Sequence, residues 1–188
     1  MKAVICGELF DGTTLTLKTD WTVLIDKEEI IYSQPTSDCE IPKGTEIIDA
    51  KDFTVIPGLI DCHDHIASFG YEIAGRWGIT EQQSHRHMRI ASTLQQTLQT
   101  GYTTIRDAGG LPAGFREAIN EDLIPGPRLL VSVGIISPTG GIGGHLSPSG
   151  HKTPFTDDPA LPNGVANGPI EMRKKVREMI AAGADVIK

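Results

Sequence analysis

The stretch Pro57-Gly58-Leu59-Ile60-Asp61-Cys62-His63-Asp64-His65 decides how the chain is read. An apolar start turns polar within a few residues, and two histidines stand two positions apart. Strand side chains alternate faces, so in a strand Leu59, Asp61, His63 and His65 share one side. Two imidazoles so placed can reach one metal ion. Cys62 and Asp64 have the opposite parity. Cys62 is expected to pack against a helix layer, and neither is expected to be a ligand. Position strengthens the pair: an apolar strand ends there and a long segment follows, as at the C-terminal rim where α/β active sites sit. A second pair, His85-Arg86-His87, falls at a predicted helix start, where a two-residue step turns about 200°. Those rings diverge, and a solvated helix face is the expectation for them.

Downstream, the rhythm is strand, loop, helix. Residues 81–100 carry Met88, Ala91, Leu94 and Leu98 at helical spacing, with Gly101 as the C-terminal cap. Thr103 to Asp107 reads as a strand, 114–123 as a brief helix and 128–136 as a buried strand. Pro169 opens a helix with Met172, Val176, Met179 and Ile180 on one face, which Gly183 ends. Residues 184–188 read as a final strand. Strands alternating with helices imply a parallel sheet. That sheet is either a small open doubly wound one or half of an eight-stranded barrel, since a whole barrel takes about 250 residues.

Upstream, the first 55 residues alternate like strands. Val4-Ile5, Leu15 to Leu17, Trp21 to Ile25, Ile30 to Tyr32 and Glu46 to Ile48 are short apolar runs between turn-formers. They make a small β-sandwich piece, too thin to hold its own core.

Composition excludes several classes. The 188 residues are 39% hydrophobic and 22% charged, so disordered and fibrous classes are out. A net charge of −7 leaves no basic stripe for nucleic acid. No run approaches the roughly 18 apolar residues of a membrane helix, and the start lacks a secretory pattern. Three scattered cysteines without CxxC spacing read as reduced thiols. A cytoplasmic protein is expected, acting on a small-molecule substrate, with homo-oligomerisation open. The glycine-rich run at 140–153 is no phosphate loop, because His151 separates Gly150 from Lys152. No G-x-G-x-x-G follows a strand, so a dinucleotide site has no support either. Asp107 is expected to hydrogen-bond within the rim. The long loop 68–80, with Phe69, Tyr71 and Trp77, is expected to form part of a substrate lid.

PGLIDCHDH, after a strand-rich start and before GYTTIRDAGG, GPRLLVSVGIISPTGG and GADVIK, resembles the metal-dependent amidohydrolase superfamily. Within it the chain is most similar to the branch of Xaa-Pro dipeptidases and imidazolonepropionase-like hydrolases, over essentially its whole length. The resemblance implies an α/β architecture. Residues 1–55 would be the N-terminal part of a composite β-sandwich, and 56–188 the first four βα units of a (β/α)8 TIM barrel. It implies His63 and His65 as ligands to the first of two divalent metal ions, zinc by the family's habit. It also implies that Lys188 reacts with CO2 to form a carbamate, an anion whose two oxygens suit bridging two dications. His145, after the glycines of the 137–144 loop, would contact substrate. Two further histidines and an acid/base aspartate are expected beyond residue 188. The family's first hairpin usually turns on a glycine, where this chain has Asp26-Lys27-Glu28-Glu29.

The implied reaction is hydrolysis of a C–N amide or peptide bond by metal-activated water, in a small substrate such as an Xaa-Pro dipeptide or an N-acyl amino acid. Two readings stand beside it. One is a one-metal cyclic amide hydrolase of the imidazolonepropionase kind, which would not use Lys188. The other is a non-catalytic truncated fragment.

Overall fold

The computed structural model describes residues 1–68, 82–144 and 158–188. The chain divides into two compact units, Met1–Pro57 and Gly58–Lys188.

The first unit is a four-stranded mixed sheet. Strands β1 (Lys2–Leu9), β2 (Lys18–Asp26), β3 (Glu29–Pro35) and β4 (Glu46–Val55) lie in the order β3-β2-β1-β4. β1 pairs antiparallel with β2 and parallel with β4. Along β1 the buried residues are Ala3, Cys6 and Leu9, a spacing of three where alternation asks for two. A register shift between Cys6 and Glu8 accounts for the second of those steps, from Cys6 to Leu9. There Gly7 passes so close to β4 that a Cβ would lie 1.9 Å from the Lys51 carbonyl oxygen. Cys6, Leu9 and Val23 form the small core, with Val4, Trp21, Ile25 and Val55 packed on it. Ile30, Ile31, Ile47 and Phe53 remain exposed, so this sheet alone buries little, as its length suggests. Leu15-Thr16-Leu17, expected as a strand, instead lies in bends before β2 with Leu15 fully in solvent.

The second unit is a parallel sheet, β5 (Leu59–Asp64), β6 (Tyr102–Asp107) and β7 (Arg128–Val131), in that order. Helix α1 (Gln83–Gln99) precedes β6, α2 (Gly114–Asn120) precedes β7, and α3 (Pro169–Ala181) follows it. Ile90 and Leu94 of α1, Ile105 of β6, Leu129 and Val131 of β7 and Met179 of α3 belong to one core cluster. Pro169 occupies the first turn of α3, where its missing N–H costs nothing. Gly101 and Gly183, just past α1 and α3, take φ of +96° and +95°, the left-handed conformation of a helix stop. No described helix is long and apolar enough to cross a membrane, and all three cysteines are free.

Several expectations are corrected. The buried stripe of α1 runs through Arg86, Ile90 and Leu94, and Met88 lies on the exposed face. β7 stops at Val131 and not at Ile136, because Val133 takes φ +63°, which no strand continues. Residues 184–188 run beside β7 without becoming a strand. The Val131 N–H is given to the Asp185 side chain, and the Val131 carbonyl is shared by the N–H groups of Asp185 and Val186. A regular ladder cannot propagate from that arrangement. Cys62, expected to pack, is exposed. His145, His151 and the lid residues Phe69, Tyr71 and Trp77 lie outside the described residues.

Candidate metal centre

The site is built at the end of β5, and the strand does not reach it by simple alternation. Asp61 pairs with Ile105 and Asp64 with Asp107, so Cys62 and His63 together oppose Arg106 alone. This is a β-bulge, a device that re-aims a side chain near a sheet edge. The backbone groups at the bulge are satisfied by side chains. Asp61 Oδ1 accepts the His63 N–H at 2.8 Å, and Arg106 Nε donates to the Cys62 carbonyl at 2.6 Å.

His63 and His65 nevertheless converge, with ring centroids 5.5 Å apart and planes inclined by 56°. The His65 Nδ1 lies 2.9 Å from the Gly109 carbonyl oxygen. A carbonyl only accepts, so Nδ1 carries the hydrogen and Nε2 keeps its lone pair, the tautomer that a metal-binding imidazole needs. Lys188 Nζ lies 2.6 Å from His63 Nε2, although 125 residues separate the two. With the amine as donor, His63 likewise presents its lone pair at Nε2. The pair of histidines and Lys188, proposed from sequence, thus come together in space.

Asp107 underpins the arrangement from within. It is fully buried, and its Oδ2 accepts the Ile66 N–H at 2.8 Å while Oδ1 accepts the Gly109 N–H at 2.9 Å. One carboxylate therefore fixes the residue after His65 and the residue whose carbonyl orients the His65 ring. Burial is the main influence on it and pushes its carboxyl up to about 6, against the pull of those two N–H bonds. The sequence marked Asp107 as a rim hydrogen-bonder but gave no sign of this double role.

His85 and His87 fall on α1 as expected, and the His87 ring meets Phe115 edge-on at 5.6 Å. That is a packing contact. Among the described residues no three His, Cys, Asp or Glu side chains cluster tightly enough to hold a metal ion. The donor chemistry here is two imidazole lone pairs beside an amine. It fits a cation if Lys188 contributes an anionic oxygen donor, and fits poorly if it stays an ammonium.

A parallel βα layer after a mixed sheet, with an HxH pair at a strand end and a distant lysine beside it, places the chain in the α/β class built from βα-barrel units. Residues 54–188 match the amidohydrolase family, and the chain belongs to that family. It is 30% identical over 200 residues to an ochratoxinase of Aspergillus niger, covering 98% of this chain and 41% of that protein. A prolidase solved with N-methylphosphonate-L-proline superposes with a TM-score of 0.84 and 28% identity, over 100% of this chain and 45% of that one. A Xaa-Pro dipeptidase solved with methionine in its active site gives 0.78 and 27%, over 99% and 46%. The chain thus spans less than half the length of these relatives. Its fold is that of the N-terminal part of an amidohydrolase, a sandwich portion followed by the first βα units of a (β/α)8 barrel.

Proposed function

We propose that the protein hydrolyses an amide or peptide C–N bond in a small substrate bearing a free carboxylate, an Xaa-Pro dipeptide or an N-acyl amino acid. The observation that carries this reading is the approach of Lys188 Nζ to His63 Nε2 beside a His65 ring whose tautomer is set by Gly109. The relatives' names, prolidase, Xaa-Pro dipeptidase and ochratoxinase, support the bond type and favour dipeptides.

In this reading His63, His65 and a carbamate formed on Lys188 hold two divalent ions, zinc by preference. When bound, such ions lower the pKa of a water and polarise the scissile carbonyl. The chain's own residues supply placement. The bulge aims His63, the Gly109 carbonyl fixes the His65 ring, and Asp107 holds both ends of that contact. Carbamate formation turns a cation into an anion, removing the repulsion an ammonium would exert on two dications. His145 contacts the substrate, and an acid/base carboxylate outside residues 1–188 delivers a proton to the leaving nitrogen.

The test is metal content with activity. The full-length protein should hold two zinc ions per chain and cleave members of a panel of Xaa-Pro dipeptides and N-acyl amino acids. His63→Ala and Lys188→Ala should each lose metal and activity while their metal-free forms keep the melting midpoint of the metal-free parent. One ion per chain, unaffected by Lys188→Ala, would favour a one-metal cyclic amide hydrolase instead.

A further inference from the structure

The segment that carries Lys188 is docked by an ion pair where a strand ladder would be expected. Asp185 N–H donates to the Val131 carbonyl at 2.8 Å, and Ile136 N–H donates to the Lys188 carbonyl at 2.8 Å. Between these ties, Asp185 Oδ2 accepts the Val131 N–H at 2.9 Å and Arg116 Nη1 at 2.6 Å. The same Nη1 donates to the Gly183 carbonyl at 2.9 Å. Arg116 Nε and Nη2 are both engaged by Glu117 Oε1, at 3.0 and 2.7 Å, so the guanidinium is held from its own helix. It therefore grips the turn before the segment and the carboxylate within it. Val131 is fully buried, so the acceptor that Asp185 supplies to its N–H has no water to replace it.

An ion pair with side chains 20% and 29% exposed adds little to stability by itself. What distinguishes this one is its place. Three residues on, Lys188 Nζ meets His63 Nε2. A one-residue slide of 183–188 along β7 would move the amine by about 3.3 Å and end that contact.

We propose that Arg116 and Asp185 are positioning residues for Lys188, locking the 183–188 segment in the register that brings its amine to His63 and thereby setting the metal affinity of the site. The inference rests on the reading of Lys188 as a metal-site residue, but its geometric half can be measured without metal.

The experiment uses the full-length protein and the variants Arg116→Ala, Arg116→Lys and Asp185→Asn. Asp185→Asn can keep its single oxygen where Oδ2 serves both the Val131 N–H and Arg116 Nη1, so it removes the charge of the pair without orphaning buried backbone. In metal-free protein, the ¹⁵N resonance of His63 Nε2 should shift in Arg116→Ala and Asp185→Asn as the Lys188 contact is lost, with partial rescue in Arg116→Lys. Zinc affinity, measured with zinc alone, should fall at least tenfold in the same two variants, the range seen when supporting partners of ligands are removed. A melting midpoint that drops while the His63 resonance and zinc affinity stay at parent values overturns the proposal, as does a shifted resonance with parent-like zinc affinity. If Arg116→Ala does not fold, Asp185→Asn and Arg116→Lys decide. If zinc affinity in the parent is indifferent to Lys188→Ala, the metal reading fails, and an unshifted His63 resonance would then sink the positioning role as well.

Discussion

Asp107 shows how much a single side chain can settle. Replacing it with Ala leaves the Ile66 and Gly109 N–H groups buried without an acceptor, at a cost of about 2–4 kcal/mol for the two. Urea unfolding of metal-free protein would measure this. The pH dependence has a definite sign. Because burial raises the carboxyl from 3.8 to about 6 in the folded chain, the bound proton favours folding. That contribution is complete below about pH 4 and is lost as pH rises through 6. Against Asp107→Asn, which does not titrate, the parent should lose up to about 3 kcal/mol across that window. A parent-minus-variant difference flat between pH 4 and 7 would contradict it. At this scale the sequence is informative where chemistry and spacing coincide. His63 and His65 stand two apart at the end of an apolar run, and that pattern is local. Arg116 and Asp185 are 69 residues apart and make sense only as a pair. Nothing in the neighbourhood of either announces the other.

Among elements, β5 is the most constrained. Gly58 precedes it so close to Thr103 that a Cβ would lie 2.0 Å from Oγ1. Thr103 is short and β-branched, with no flexible end to withdraw. Gly58→Ala should therefore cost about 1–3 kcal/mol, as overpacking does, and should lower metal affinity by displacing the strand that bears His63 and leads into His65. Calorimetry and zinc titration on one preparation would test both parts. The β2–β3 hairpin offers the opposite case. Lys27 sits at φ +54°, a conformation that costs a residue with a Cβ about 1–2 kcal/mol. Lys27→Gly should raise stability by about 1 kcal/mol and leave activity alone. The bounds of α1, β6 and α3 were legible to within one to two residues, because periodicity and stop signals agreed there. The sequence alone carries β7 too far, because its apolar run continues through Val133 and Ile136, while the turn is dictated by Val133 φ, which leaves no compositional mark. The bulge in β5 is invisible for a related reason. It depends on which residue of β6 lies opposite, and the inference that the histidines share a side holds through re-aiming and not through strict alternation.

For the whole molecule, exposed apolar side chains carry the message. Ile31, Ile47 and Phe53 on the first unit, and Ile60 and Leu130 on the second, are each at least 40% exposed. Faces of that kind mark surfaces that want cover. Residues 1–188 produced alone should therefore bind a hydrophobic dye and self-associate in a concentration-dependent way. Light scattering beside the dye assay is sufficient, and a monodisperse, dye-negative 1–188 would refute it.

The contact between His63 and Lys188 spans 125 residues of chain, and that separation has a consequence in time. A ribosome adds about 5–20 residues per second, so the histidine pair emerges roughly 6–25 seconds before its lysine. During that interval the nascent chain offers two imidazoles and no third donor from this set, a weak chelate that a passing ion would leave again. On the proposed reading of the site, a metal ion would therefore not direct the early folding of β5. The bulge, Asp107 and Gly109 would shape the strand first, and the ion would come last, once the distant segment has arrived in register.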